Sequence, residues 1–426
     1  MKKNILVFPC GSEVALEIYR SVRHSRFFNL IGANSIDDHG KFVFTNYVGS
    51  LPFYSDPSFI DELKTVLNIN KIDAIYPATD AVSLFLTSHK NEIKIPIISS
   101  PSITNEICSS KLKTYNFFTN VIPTPIIFSN INDVEYFPIF AKPEIGYGSR
   151  GAKKIINKKM AEVHLAEFPG TIFMEYLPGK EYTIDCFTNS KGQLLFVGSR
   201  IRKRIMNGIS VNTSTSETTE NIFFSKLATI INQKLQLRGA WFFQMKENTN
   251  NDLVLLEIAT RLGGSSATYR IQGVNFALLT LFDAFGYEVN VQHNMFEVEL
   301  DRALYNRYKL SIDYSTIYID LDDTIIINDK INTQSIALIY QAINSGKKIT
   351  LLTKHKGDLN QTLKKYRLQH LFDDIIHINP EDDKSSFVND YNAIFIDDSF
   401  TERSSVMQKT GLPVFSPDAI ESLIDF

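Results

Sequence analysis

The stretch Thr316-Ile317-Tyr318-Ile319-Asp320-Leu321-Asp322-Asp323-Thr324 narrows most sharply what this chain can become. It reads as an apolar strand ending in three acids, and carboxylates beside a core are costly unless a cation holds them. Read as Asp-x-Asp-x-Thr, the stretch puts Asp320 and Asp322 on one side of the strand end, able to share Mg²⁺. An isolated Asp-Asp pair would ordinarily be an acidic loop capping a helix. Three further pieces argue against that here. Lys348 to Thr353 is a second strand, ending in a hydroxyl suited to phosphate. Lys384 opens a helix after Asp382-Asp383, and Ala393 to Ser399 is a third strand carrying the paired acids Asp397 and Asp398.

The rest of the chain must supply other cores, because 426 residues suggest two or three domains. A formal charge of −3 without a long basic run speaks against nucleic acid as a partner. The three cysteines, odd in number and widely spaced, argue against a disulfide framework or a zinc site, so a reducing cytoplasm is expected. Lys2-Lys3 precede an apolar run that stops at Gly11-Ser12-Glu13, too early for a secretion signal. No stretch is long and apolar enough to span a bilayer.

Strand patterns at 3–8, 30–33, 74–77 and 95–98 alternate with helical ones at 13–23, 58–68 and 81–91. This predicts a small doubly wound domain over residues 1–100, with ligands at the strand C-termini. Gly11 and Asp80 lie there, where a turn glycine and a helix cap serve as readings equally well. From Pro101 the pattern changes. A helix over 103–119 carries Lys111 and Lys113, and a strand over 138–143 runs into Ala-Lys-Pro-Glu-Ile-Gly-Tyr-Gly-Ser-Arg-Gly at 141–151. Gly146, Gly148 and Gly151 allow positive φ and close approach of backbone N–H groups to an anion. Lys142, Ser149 and Arg150 add two cations and a hydroxyl. The same turn could also close a hairpin that binds nothing.

Strands over 171–177, 181–187 and 194–200 follow, the last ending in Arg200, Arg202, Lys203 and Arg204. Such a cluster reads as a solvated face or as a clamp for phosphate. After a helix over 221–236, the strand 239–246 sets Gln244 and Lys246 on one face. The apolar strand 253–258 carries one carboxylate, Glu257, which asks for a partner or a metal. Arg261 and Gly263-Gly264 come directly after it.

In order and spacing, Lys111, Lys142-Pro143 with the glycine turn, Glu175 to Glu181, and Gln244 followed by Glu257 to Arg261 resemble the ATP-grasp superfamily, particularly its carboxylate–amine ligases and carbamoyl-phosphate-synthase-like members. The resemblance covers roughly residues 1–300. It implies that Lys111 and Lys142 touch ATP phosphates while the turn containing Gly146, Gly148, Ser149 and Gly151 closes over them. Glu175 and the backbone at Tyr176 and Leu177 would hold adenine, and Glu181 the ribose. Gln244 and Glu257 would hold Mg²⁺, and Arg261 would face the reacting phosphoryl or carboxylate. One departure stands out: where the family usually has an asparagine as a further metal ligand, this chain has Ala259.

The pieces from Asp320 onward resemble the haloacid dehalogenase (HAD) phosphohydrolase superfamily over about 314–426. Under that resemblance Asp320 is the nucleophile and Asp322 the general acid and base. Thr353 and Lys384 position the phosphoryl oxygens, and Asp397 with Asp398 completes the Mg²⁺ site. About 28 residues lie between Thr324 and Thr353, filled by a helix over 333–345, which leaves no room for a large cap domain.

The expected fold class is thus α/β and α+β multidomain: a doubly wound domain (1–100), an ATP-grasp domain (101–310) and a Rossmann-like HAD domain (311–426). The two resemblances imply a bifunctional cytoplasmic enzyme. One half would join a small-molecule carboxylate to an amine through an acyl phosphate with ATP and Mg²⁺; the other would dephosphorylate a metabolite of the same pathway. Such fusions look like those of bacterial surface-polysaccharide or secondary-metabolite routes, and ATP-grasp ligases are often dimers. The competing expectation is a HAD phosphatase whose ATP-grasp half is a degenerate nucleotide-binding module.

Overall fold

The apolar run at the start of the chain forms the strand Lys3–Phe8, buried over its last four residues. It pairs in parallel with Phe28–Ala33 and Ala74–Pro77, and Asn46–Val48 lies at the far edge. One face of this sheet packs on Glu13–Val22 and on Phe276–Ala284 through Ile5, Val7, Ile18 and Phe276; the other covers Phe59–Ile69 through Leu6, Phe8, Phe59 and Leu63. The segment 95–98, expected as a strand, joins only through the bridge Ile75–Ile97. Pro96 has no N–H to extend a ladder.

The structure is a computed structural model describing residues 2–146, 151–216, 218–304 and 306–425. It divides into two compact units, Met1–Leu304 and Tyr305–Phe426. The first unit holds two further sheets. A four-stranded antiparallel sheet runs in the order Ile127–Phe128, Thr171–Glu175, Ile139–Pro143, Lys153–Ile155. A six-stranded sheet runs in the order Leu253–Ala259, Gly239–Glu247, Glu181–Thr188, Leu194–Met206, Ile209–Thr215, Glu299–Asp301. The helix Thr218–Lys234 seals one face of it with Phe224, Ala228 and Ile231 against Trp241 and Phe243.

Two elements differ from their sequence patterns in ways that shape the site. The helix expected over 103–119 breaks into Ser102–Ser109 and Lys111–Phe118, because Ser110 is extended and its hydroxyl accepts from the Lys113 N–H. The cap outweighs continuous helix here. The strand expected to stop at 200 runs on to Met206, so the basic cluster alternates along a strand instead of following one. Asn207 and Gly208, both at positive φ (50° and 77°), turn the chain back into Ile209–Thr215, and Asn-Gly is the favoured pair for such a hairpin.

In the second unit five parallel strands run in the order Asp374–His377, Lys348–Thr353, Thr316–Ile319, Ala393–Ile396, Val414–Phe415. Ile319 stands opposite both Leu351 and Ile396, so the polar residues following each strand emerge at one edge. Between Asp322 and Thr353 lie only the small hairpin Ile326–Ile327 with Lys330–Ile331 and the helix Thr333–Asn344. Lys384 opens a 3₁₀ turn, Lys384–Phe387, in place of the expected α-helix. Among the described residues no helix is long and apolar enough to cross a membrane.

Candidate functional site

In the first unit the strands of the two antiparallel sheets bound a cavity of about 300 Å³. Lys111 and Lys142 stand in its wall with Gly146; Glu175, Tyr176 and Leu177 line it too, as do Glu181, Gln244 and Glu257. The strand Ile139–Pro143 delivers Lys142. The break at Ser110 makes Lys111 the first residue of its helix, with Nζ 3.4 Å from the Glu144 carbonyl and 3.3 Å from that of Gly146.

Neither lysine is paired with a carboxylate among the described residues. Lys142 Nζ donates to the Tyr115 hydroxyl at 2.7 Å, which itself donates to the Leu256 carbonyl at 2.8 Å. Burial, reinforced by the charge of Lys111, pushes the Lys142 amine down to about 7, and burial lowers Lys111 as well. A buried amine, Lys142, and a half-buried one, Lys111, both held below the usual lysine range, therefore face one cavity, an arrangement that a polyanion completes.

The hinge from Glu175 to Leu177 is held from behind: the Glu175 carboxylate accepts from the Ile126 N–H at 2.9 Å. Beyond it, Tyr176 and Leu177 line the cavity. Glu181, expected at the ribose, lines the cavity between Arg202, in a short contact, and Lys246 at 3.1 Å. Arg261 does not line the cavity. It is bound to Asp80 at 2.8 Å and stacked over Phe242. Gly151, at φ +69°, lies where a Cβ would come within 3.1 Å of Pro143. Gly148 and Ser149 lie outside the described residues.

Sequence reasoning left Arg202 unassigned within its cluster, and pairing the strands sorts the four cations. Arg200 is buried against Asp185 (2.6 Å), while Lys203 and Arg204 are exposed and paired with Glu299 and Asp301. Only Arg202 lines the cavity. Its Nη2 donates to the Gly208 carbonyl at 2.7 Å, and its buried Nε has no partner among the described residues. The Asn207-Gly208 turn signal, followed through, would have put this side chain inside a hairpin.

For a divalent ion the donor set is thin. Gln244 and Glu257 are register partners on adjacent strands, but the Gln244 carboxamide fits best with its oxygen toward Arg202 (3.2 Å) and its nitrogen toward Glu257 (3.3 Å). Ala259 offers no donor atom. The residues present thus fit one Mg²⁺ held through Glu257, with phosphate and water oxygens supplying the rest; Gln244 would have to turn over to join.

The second unit gathers its polar strand ends into a tighter cluster. Asp320, Asp397 and Asp398 each bring a ligand oxygen within 4.8 Å of the others, which suits a hard cation. Lys384 Nζ lies 2.6 Å from both Asp320 and Asp397. Burial pushes Asp320 up to about 7 and raises Asp397. Burial works against the Lys384 charge as well, yet the two carboxylates outweigh it and hold the amine above its usual range. The Thr353 hydroxyl is buried without a partner among the described residues. Asp322, expected among the metal ligands, is not in the cluster of three; both its carboxylate oxygens meet His355.

Residues 167–302 match the family described as ATP-grasp in the biosynthetic pathway with Ter operon. No curated protein matches the sequence. Among solved structures, the N5-carboxyaminoimidazole synthetase of Staphylococcus aureus, complexed with ADP, is 17% identical over 71% of this chain and 83% of its own, with a TM-score of 0.59. The biotin carboxylase of Campylobacter jejuni, in a complex with a β,γ-ATP ligand, is 18% identical over 68% and 73%, at 0.57. The L-amino acid ligase of Bacillus licheniformis is 18% identical over 67% and 74%, at 0.55. The architecture of the first unit is therefore the ATP-grasp fold.

Proposed function

We propose that the first unit is an ATP-dependent ligase that activates a carboxylate as an acyl phosphate and passes it to an amine. The observation carrying this reading is the pair of under-neutralised amines, the half-buried Lys111 and the buried Lys142, in one cavity with the Glu175–Leu177 hinge. The lysines take the phosphates, the hinge backbone takes the base, and Glu257 holds the ion. Bound Mg²⁺ supplies charge neutralisation on the phosphoryl group in transfer. Arg202, aimed at the same cavity, adds a fixed cation there. An oxygen of the acid attacks the γ-phosphorus and ADP leaves; the amine then attacks the acyl carbon and phosphate leaves. ADP and phosphate release measured against a panel of acids and amines tests the reading. ADP formation that requires both an acid and an amine is the expected result, and ADP formed with neither acid nor amine dependence would count against it.

Lys142 makes the binding step pH-dependent in a defined direction. In the free protein its amine titrates near 7, and a polyphosphate beside it raises that value. At pH 8 ATP binding should therefore take up close to one proton, and affinity should fall about tenfold per pH unit above 7 until the bound-state value is reached. Calorimetry in buffers of different ionisation enthalpy reads the uptake, and Lys142→Met should abolish it.

The second unit we read as an uncapped HAD-type phosphatase. Asp320 attacks phosphorus, Asp322 exchanges the protons, Thr353 and Lys384 hold phosphoryl oxygens, and Asp397 with Asp398 holds the ion together with Asp320. What supports this is Lys384 between two carboxylates, together with a buried threonine that has no partner among the described residues. A second reading, a phosphatase with a nucleotide-sensing first unit, is favoured by Ala259 and by the orientation of Gln244. Mg·ATP binding without turnover across the whole acid and amine panel would select it.

A further inference from the structure

Asp322 is held by a residue that no motif in the sequence announces. His355 lies two residues past Thr353, on the loop leaving the strand Lys348–Thr353. Its Nδ1 stands 2.9 Å and 3.0 Å from the two Asp322 carboxylate oxygens, and its Nε2 stands 2.8 Å from the Thr362 hydroxyl. Its own carbonyl accepts from His377 Nε2 at 2.8 Å. The imidazole is bonded through both ring nitrogens and is 15% exposed, whereas the Asp322 side chain is 50% exposed. An ionised carboxylate can only accept, so Nδ1 carries the proton in either charge state of the ring.

The phosphatase reading asks two opposite things of Asp322. In the first step an Asp320 oxygen bonds to phosphorus, the bond from phosphorus to the leaving oxygen breaks, and that oxygen takes a proton from the Asp322 carboxyl. In the second, Asp322 takes a proton from the water whose oxygen attacks phosphorus, the bond to Asp320 breaks, and phosphate departs. A half-exposed aspartate that samples several rotamers serves neither step well. A fixed N–H shared by both carboxylate oxygens narrows the directions the group can take, so one aim can serve both steps.

We propose that His355, oriented by Thr362, is a positioning residue that holds the Asp322 carboxylate in place for both proton transfers. The proposal rests on the phosphatase reading of this unit. It concerns aim and not binding, so its loss should fall on kcat. It should also fall hardest on substrates whose leaving group needs a proton.

The test uses the full chain with Mg²⁺ and two esters, p-nitrophenyl phosphate and phenyl phosphate, the latter having the poorer leaving group. His355→Leu is expected to lower kcat on phenyl phosphate by about 10²-fold, with a smaller loss on p-nitrophenyl phosphate and KM within about twofold. His355→Asn, which can set an amide N–H near the place of Nδ1, should recover kcat to within about tenfold of wild type, and Thr362→Val should lose part of it. In an Asp322→Asn background, His355→Leu should cost nothing further. A His355→Leu loss that Asn does not relieve, or one that persists in the Asp322→Asn background, overturns the proposal in favour of a structural role. So does unchanged kcat in His355→Leu when Asp320→Asn is inactive. If wild type turns over neither ester, or Asp320→Asn is as active as wild type, the phosphatase reading itself fails and the proposal with it.

Discussion

Asp320→Asn is expected to lower phosphatase turnover by about four orders of magnitude or more, while ATP consumption by the first unit stays within about twofold. An amide keeps the size of the carboxyl but has no anionic oxygen to bond to phosphorus. The fold should accept it. Burial already pushes the Asp320 carboxyl up to about 7, so the protein accommodates an uncharged group there near neutrality, and the amide oxygen still accepts from Lys384. Ester hydrolysis by purified wild type and variant, with circular dichroism as a fold control, decides it. Residual activity above about a hundredth of wild type would remove Asp320 from the nucleophile's role.

Glu257→Ala should do the reverse. ADP formation is expected to fall by about 10³-fold with phosphatase activity intact. The magnitude follows from how little stands in reserve. Ala259 has no donor atom, Gln244 turns its oxygen to Arg202, and Glu181 is already shared by Arg202 and Lys246. Among the described residues lining the cavity no free carboxylate stands in for the lost one, so raising Mg²⁺ should recover little. Parallel loss of both activities in either variant, with the fold preserved, would show that the two sites do not work independently.

Part of the fold and of the candidate site is legible in the sequence. Lys142 at the end of an apolar strand, Glu257 alone in another, and the acids after Ile319 and Ile396 stand out because carboxylates and amines are rare in such runs. What stayed hidden depends on which strands become neighbours. Arg202 looked like its three basic companions until the hairpin at Asn207-Gly208 and the pairing of Glu181–Thr188 with Leu194–Met206 brought it beside Glu181 and Gln244. The ion pair of Arg261 with Asp80 spans 181 positions, a separation that local pattern cannot bridge. His355 had no local signature either, since its meaning comes from Asp322 and Thr362 on other elements. The break at Ser110 was a local signal, overlooked because a serine inside an apolar-periodic stretch reads equally well as helix interior.

Lys384 has a bearing on how this protein is born and kept. A nest of carboxylates built for a cation is self-repelling when that cation is away, and many such nests must be filled before the chain around them settles. Here an ammonium on the chain itself lies between Asp320 and Asp397, so the nest has an internal counter-charge from the moment the strands assemble. Folding need not wait for magnesium, and a chelator should silence the second unit without melting it. Under the phosphatase reading, the ion would then act as an ignition key for a finished machine and not as a rivet in its frame.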